Sequence, residues 1–169
     1  MSWINDRLES RLRAVRQDER LRPAIDAVKA AGARPGVTGE ALLDVALVAA
    51  RDSYARSVHA PTADQIRERA LLAAAAASAE QGISLAGLPA GTDKARHFFL
   101  SGWLALQLAR AADTLLPRRL AEPVGVAGSV AIGFLKEVYD AFFATGFSRE
   151  DLQADTAGAR AALAMGRLA

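Results

Sequence analysis

Apolar residues recur along the chain at three- and four-residue intervals, and no stretch shows the strict alternation of a half-buried strand, so the pattern predicts an all-α fold of about six or seven helices in a single domain. Breakers and caps divide it. Ser2 to about Ala31 reads as two helices separated at Pro23, and Ala33 to Val37 as a loop. Thr38 then caps a helix carrying Leu42, Leu43, Ala46 and Leu47 that runs to a stop at His59-Ala60-Pro61. Thr62 and Gln65 match a capping box, which opens a helix through Ile66, Leu71 and Leu72 into the alanine run Ala73 to Ala77. Alanine loses little side-chain entropy and admits a close neighbour, so that run reads as packed core.

Between Gln81 and Thr92, Gly82, Gly87, Pro89 and Gly91 form a long loop that separates an N-terminal helical region, residues 1–90, from a C-terminal three-helix region, residues 91–169, the two expected to pack as one domain. Thr92 is expected to cap a helix from Asp93 to about Leu116, ended by Pro117. Pro123 opens the next, which lasts to about Thr145, and Ser148 caps the last, with Asp151 at the acceptor position of a second capping box. Phe98 to Leu116 contains Arg110 and Asp113, and Val124 to Leu135 falls short of the roughly 20 residues that span a bilayer, so both read as buried core helices rather than spans. Gly125, Gly128 and Gly133 on the second of these predict a tight helix crossing, since each glycine costs about 1 kcal/mol relative to alanine inside a helix.

Composition narrows the chemistry. With no cysteine among 169 residues, disulfides, thiolate ligands, thiol nucleophiles and lipidation through cysteine are excluded. Lys and Arg number 21 against 19 Asp and Glu, a balance that argues against nucleic acid as a partner. Arg7, Arg11, Arg13 and Arg16 crowd the first helix and suit an acidic protein or a peripheral membrane surface, although the interleaved Asp6, Glu9, Asp18 and Glu19 also fit a solvated face. The Met1 to Glu19 stretch lacks the apolar run of a secretory signal, so a cytoplasmic location is expected, with membrane-peripheral docking and homo-oligomerisation left open. Trp3 and Trp103 read as core anchors, and His59 as a partner for a helix C-terminus.

Three polar stripes carry the candidate site. Asp93, His97 and Ser101 follow at four-residue steps; Glu137 and Asp140 share a face that extends back through Gly133 and Ser129; Asp151 and Asp155 are again four apart, with Gly158 beyond. If they converge, the mutual repulsion of the carboxylates calls for a cation or shared protons. Asp93, His97, Glu137, Asp140, Asp151 and Asp155 are then candidate metal ligands: Mn²⁺, Fe²⁺ or Zn²⁺ through the imidazole, or Ca²⁺ or Mg²⁺ with the imidazole outside the ligand set. In a metal-dependent hydrolase, His97 and Glu137 would be the catalytic pair, with Glu137 as general base on a bound water. The same residues also fit a non-enzymatic interaction module: Asp93 and Asp151 suit helix N-termini, Glu137 can pair with Lys136, and His97 can close a core hydrogen-bond network.

The blocks Asp93-Lys94-Ala95-Arg96-His97, Lys136-Glu137-Val138-Tyr139-Asp140 and Ser148 to Gly158 resemble the pattern of YfiM-like proteins over about residues 92–162. More distantly they are similar to VanZ-like membrane proteins, which share the DK-x-x-H opening, a later helical Glu and the S-x-x-D-x-x-x-[DN]-x-x-G ending. The resemblance implies that the six acidic and histidine positions act together. It supplies no activity, and the chain departs from the lipoprotein character of YfiM-like members because it has no cysteine to lipidate.

Overall fold

A computed structural model describes residues 2–55, 57, 59–143 and 146–165, with the side chains of 2–7 and 92 excepted. Among the described residues there are seven helices and no strand: α1 (Ser2–Gln17), α2 (Arg22–Gly32), α3 (Gly39–Tyr54), α4 (Ala63–Gln81), α5 (Thr92–Asp113), α6 (Arg118–Phe143) and α7 (Arg149–Ala164). The fold is therefore all-α. The chain divides into two compact units, Met1–Arg96 and His97–Ala169, so the division falls inside α5 rather than in the preceding loop.

Local chemistry sets the boundaries of the first unit. Thr38 Oγ1 accepts from the Ala41 amide at 3.2 Å, and the Thr62–Gln65 capping box is closed in both directions, at 2.9 and 3.2 Å. Pro23 lies in the first turn of α2, where its missing N–H has no helical partner to lose. α4 ends on Gly82 at φ 67°, a left-handed cap that favours glycine. Its Ala70 to Ala77 segment is fully buried apart from Leu72 at 3% exposure, and α2, α3 and α1 pack against α4. The loop after α4 is pinned by buried Ile83 and Leu85 and by the Ala86 amide, which donates to the Val37 carbonyl at 2.7 Å. α3 closes at Tyr54, short of His59, so His59 caps no helix end; it lies exposed in a bend. Arg11 and Arg16 form ion pairs with Glu68 and Glu80 of α4, which partly neutralises the basic first helix. Trp3 and Arg7 have side chains outside the described residues.

In the second unit, small residues determine how closely the helices approach. A Cβ on Gly125 would come within 2.5 Å of the Ala105 carbonyl, and one on Gly158 within 1.8 Å of the Phe98 carbonyl, so α6 and α7 both press backbone to backbone on α5. The crossing expected from the α6 glycines is present. Two expectations are corrected. α6 begins at Arg118, with Pro123 inside it, because the Leu120 and Ala121 amides already bond the Pro117 carbonyl and form the first turn upstream. The helix is also not a wholly buried one: its covered face is the small-residue row Ala121, Gly125, Ser129, Gly133 and Glu137, while Val124, Phe134 and Leu135 are exposed. Thr145 lies outside the described residues. No described helix is long and apolar enough to cross a membrane.

Candidate metal centre

Three helices of the second unit bring their polar stripes together. From α5, His97 is four-fifths buried and Ser101 is buried; from α7 come Asp151 and Asp155; from α6 come Ser129, Gly133, Lys136, Glu137 and Asp140. Asp155 is the centre of the network. Its Oδ1 accepts from the Ser101 hydroxyl at 2.5 Å and lies 3.2 Å from His97 Nδ1, while its Oδ2 occupies the space a Cβ on Gly133 would need, 2.5 Å away. Gly133 is thus the recess into which this carboxylate fits. Ser129 donates to the Ser101 carbonyl at 2.9 Å, tying α6 to the same turn of α5.

His97 turns its other nitrogen, Nε2, toward Asp151 Oδ2, 3.7 Å away. Burial pushes the imidazole pKa down, but the hydrogen bond and charge of Asp155 and the charge of Asp151 outweigh both burial and the opposing Lys136 ammonium, so the pKa is raised above its usual value. The ring lies between two carboxylates, which favour its charged form. Asp93 lies one turn earlier on the same face of α5, and its carboxylate comes within 4.8 Å of a His97 ring nitrogen; Asp151 and His97 meet the same limit. Asp93 is exposed and accepts from Lys94 at 3.1 Å.

Glu137 and Asp140 are arranged differently from the sequence expectation. Glu137 is 1% exposed; its Oε2 accepts from the Ser148 amide at 2.8 Å and its Oε1 from Lys136 at 2.9 Å. Lys136 also bonds Asp140 at 2.8 Å, and although burial opposes its charge, these two carboxylates raise the ammonium pKa well above the ordinary lysine value. Glu137 and Asp140 are therefore engaged in a Lys136-bridged pair, apart from the His97 and Asp151 contact. Both carboxylate oxygens of Glu137 are occupied by donors, which fits a tie between helices better than a base on water.

This tie also determines which way Asp151 faces. Ser148 Oγ accepts from the Asp151 amide at 3.1 Å, as its capping position predicts, but the reciprocal donor, the Ser148 amide, goes to Glu137 rather than to the Asp151 side chain. The Asp151 carboxylate points at His97 instead. Sequence spacing missed this link because it depends on how α6 and α7 meet. The available signal was an acidic residue, Glu137, on a row otherwise made of glycine, serine and alanine.

Around this cluster Glu137 and Asp140 pair with Lys136, and Asp151 and Asp155 flank His97. A cavity of about 270 Å³ lies in the first unit, lined by Arg11, Asp18, Glu68 and Arg69 among others. No family model matches the chain, and neither a curated protein nor a solved structure is similar to it, so the YfiM-like resemblance rests on the residue pattern of 92–162 alone.

Proposed function

We propose that the second unit binds a divalent cation through His97 Nε2 and Asp151, and that the cation activates water for hydrolysis. One observation carries this reading: Asp155 engages Nδ1 of His97 and so directs Nε2 toward a second carboxylate. A metal-bound histidine is commonly held this way, because a carboxylate on the distal nitrogen fixes the tautomer and makes the ring a better ligand. Ser101 and the Gly133 recess hold Asp155 in place. One imidazole among carboxylates suits Zn²⁺, Mn²⁺ or Fe²⁺ over Ca²⁺ or Mg²⁺, and so few protein ligands leave positions for water. Binding displaces the imidazolium proton, so affinity rises with pH.

Thermal unfolding with Zn²⁺ or Mn²⁺ tests the reading. A cation at a hundredfold excess over its Kd stabilises a folded protein by about 2.7 kcal/mol. The wild-type chain is expected to gain on that order, His97→Gln and Asp151→Asn to gain nothing, and Glu137→Gln to lose stability yet still respond. Absence of any response from the wild-type chain contradicts the proposal.

A second reading, a purely structural network supporting an interaction module, is favoured by the donors already placed on Asp155 and Glu137. It predicts no cation response and a large loss of stability for every one of these substitutions, because a buried partner left unpaired is costly.

A further inference from the structure

The cavity of the first unit places a cation and an anion over apolar walls. Arg69 lines it from α4 and Asp18 from the end of α1, with buried Val15, Leu21 and Leu72 between, and its volume of about 270 Å³ is close to the lower end of small-molecule pockets, roughly 300 Å³. Tyr54 of α3 holds both charged groups. Its hydroxyl donates to Asp18 Oδ2 at 2.8 Å, and the Arg69 guanidinium lies over its ring, 4.4 Å from the centroid. Burial and the Asp18 bond push the tyrosine pKa up, which keeps the hydroxyl a donor. Both charged residues are half-buried, yet among the described residues Arg69 makes no hydrogen bond or ion pair, with Asp18 or with any other group. A stacked guanidinium and a fixed carboxylate of opposite sign are thus kept unjoined on the lining of one cavity.

We infer that this cavity binds a small zwitterion, an α-amino acid with an apolar side chain, whose carboxylate meets Arg69, whose ammonium meets Asp18 and whose side chain rests on Val15, Leu21 and Leu72. The planar fork of an arginine matches a carboxylate, and stacking on Tyr54 holds that fork in place before the ligand arrives, so less order has to be imposed on binding. Asp18 accepts one bond on each oxygen, from the Arg20 amide at 3.0 Å and from Tyr54, and an ionised carboxylate has lone pairs left for an ammonium. Net charge selects the same class. Arg11 and Glu68, also on the lining, add one charge of each sign, 3.9 Å apart, so the walls carry two cations and two anions. A simple anion would meet the two carboxylates and a simple cation the two guanidiniums, whereas a zwitterion finds the opposite charge at each of its ends.

Calorimetric titration of the full chain with L-leucine tests this. A Kd of roughly 1 mM or tighter is expected. 4-Methylpentanoate, which is leucine without its ammonium, and 3-methylbutylamine, which is leucine without its carboxylate, are each expected to bind at least roughly tenfold more weakly, because each leaves one charged wall group unmatched. Asp18→Asn retains an acceptor for the Tyr54 hydroxyl, and Arg69→Gln replaces a group with no hydrogen bond of its own to lose, so both are expected to keep the helical circular dichroism. Each is expected to weaken L-leucine by a similar factor, while Arg69→Gln binds 3-methylbutylamine, and Asp18→Asn binds 4-methylpentanoate, no more weakly than the wild-type chain does. Should a variant unfold, the comparison of the three ligands on the wild-type chain still decides. No binding of L-leucine at about 10 mM, ten times the weakest Kd expected, overturns the inference. So does an analogue that binds as tightly as L-leucine, or a folded Arg69→Gln chain with unchanged affinity for it.

Discussion

The two units distribute polarity in opposite ways. In the first, the alanine run of α4 and the leucines around it are buried while the charges of α1 pair at the surface with Glu68 and Glu80. In the second, the buried face of α6 carries Ser129 and Glu137 against the buried Ser101 and Asp155, while phenylalanines and leucines of the same helix lie outside. A core of the first kind is sufficient for stability. Burying carboxylates and exposing aromatic rings are both unfavourable for an isolated unit, so the second has the arrangement expected where the residues serve binding.

The strongest way to break this contrast is Gly158→Ala, since its Cβ would overlap the Phe98 carbonyl, a backbone atom that cannot rotate away. A loss of about 3 kcal/mol or more is expected from overpacking of this kind. Hydrogen exchange should show the lost protection concentrated in residues 97–165, with α4 little affected. Uniform loss across both units would mean that the two do not melt separately.

Next in size is Asp155→Ala, which removes the acceptor of Ser101 and the partner of His97 together; about 2 kcal/mol is expected from two buried donors left without it, read by urea denaturation. Thr62→Ala in the first unit removes one half of a capping box on an exposed helix end and should cost about 1 kcal/mol. The smaller effect would sharpen the comparison, because Thr62 stands at an exposed helix end while Asp155 is buried among the groups it bonds.

The pH dependence should be subtler and confined to the second unit. His97 has a folded pKa above its unfolded value near 6.5, so the metal-free protein has the full benefit of its charged form below about pH 6.5. That benefit disappears as the pH rises through the folded pKa. The stability of wild-type protein relative to His97→Gln should therefore fall with rising pH across this range, and parallel curves for the two would show that the Asp155 pairing does not favour the charged ring.

The helices were legible in the sequence because Thr38, Thr62, Gln65, Gly82 and Ser148 act within one turn of where they stand. Whether the stripes converge was not readable: Gly133 marked room for a partner, and only the packing shows what presses there and on Gly158, the Asp155 carboxylate in one case and the Phe98 backbone in the other. The division of labour among the acids was not readable either. Spacing treats Glu137 and Asp151 alike, and only the approach of α6 to the start of α7 assigns the Ser148 amide to Glu137 and turns Asp151 toward His97. Nor could an almost uniformly apolar α6 reveal which of its sides is covered, and the start at Pro123 was misread because Pro117 supplies the first turn's acceptor instead.

X-ray absorption at the metal edge of zinc- or manganese-loaded protein tests the central claim most directly. For zinc, one nitrogen at about 2.0–2.1 Å in a mixed nitrogen and oxygen shell is predicted for the wild-type chain and its loss in His97→Gln. An all-oxygen shell that is the same in both would show that the cation, where it binds, is held without His97, and would contradict the account.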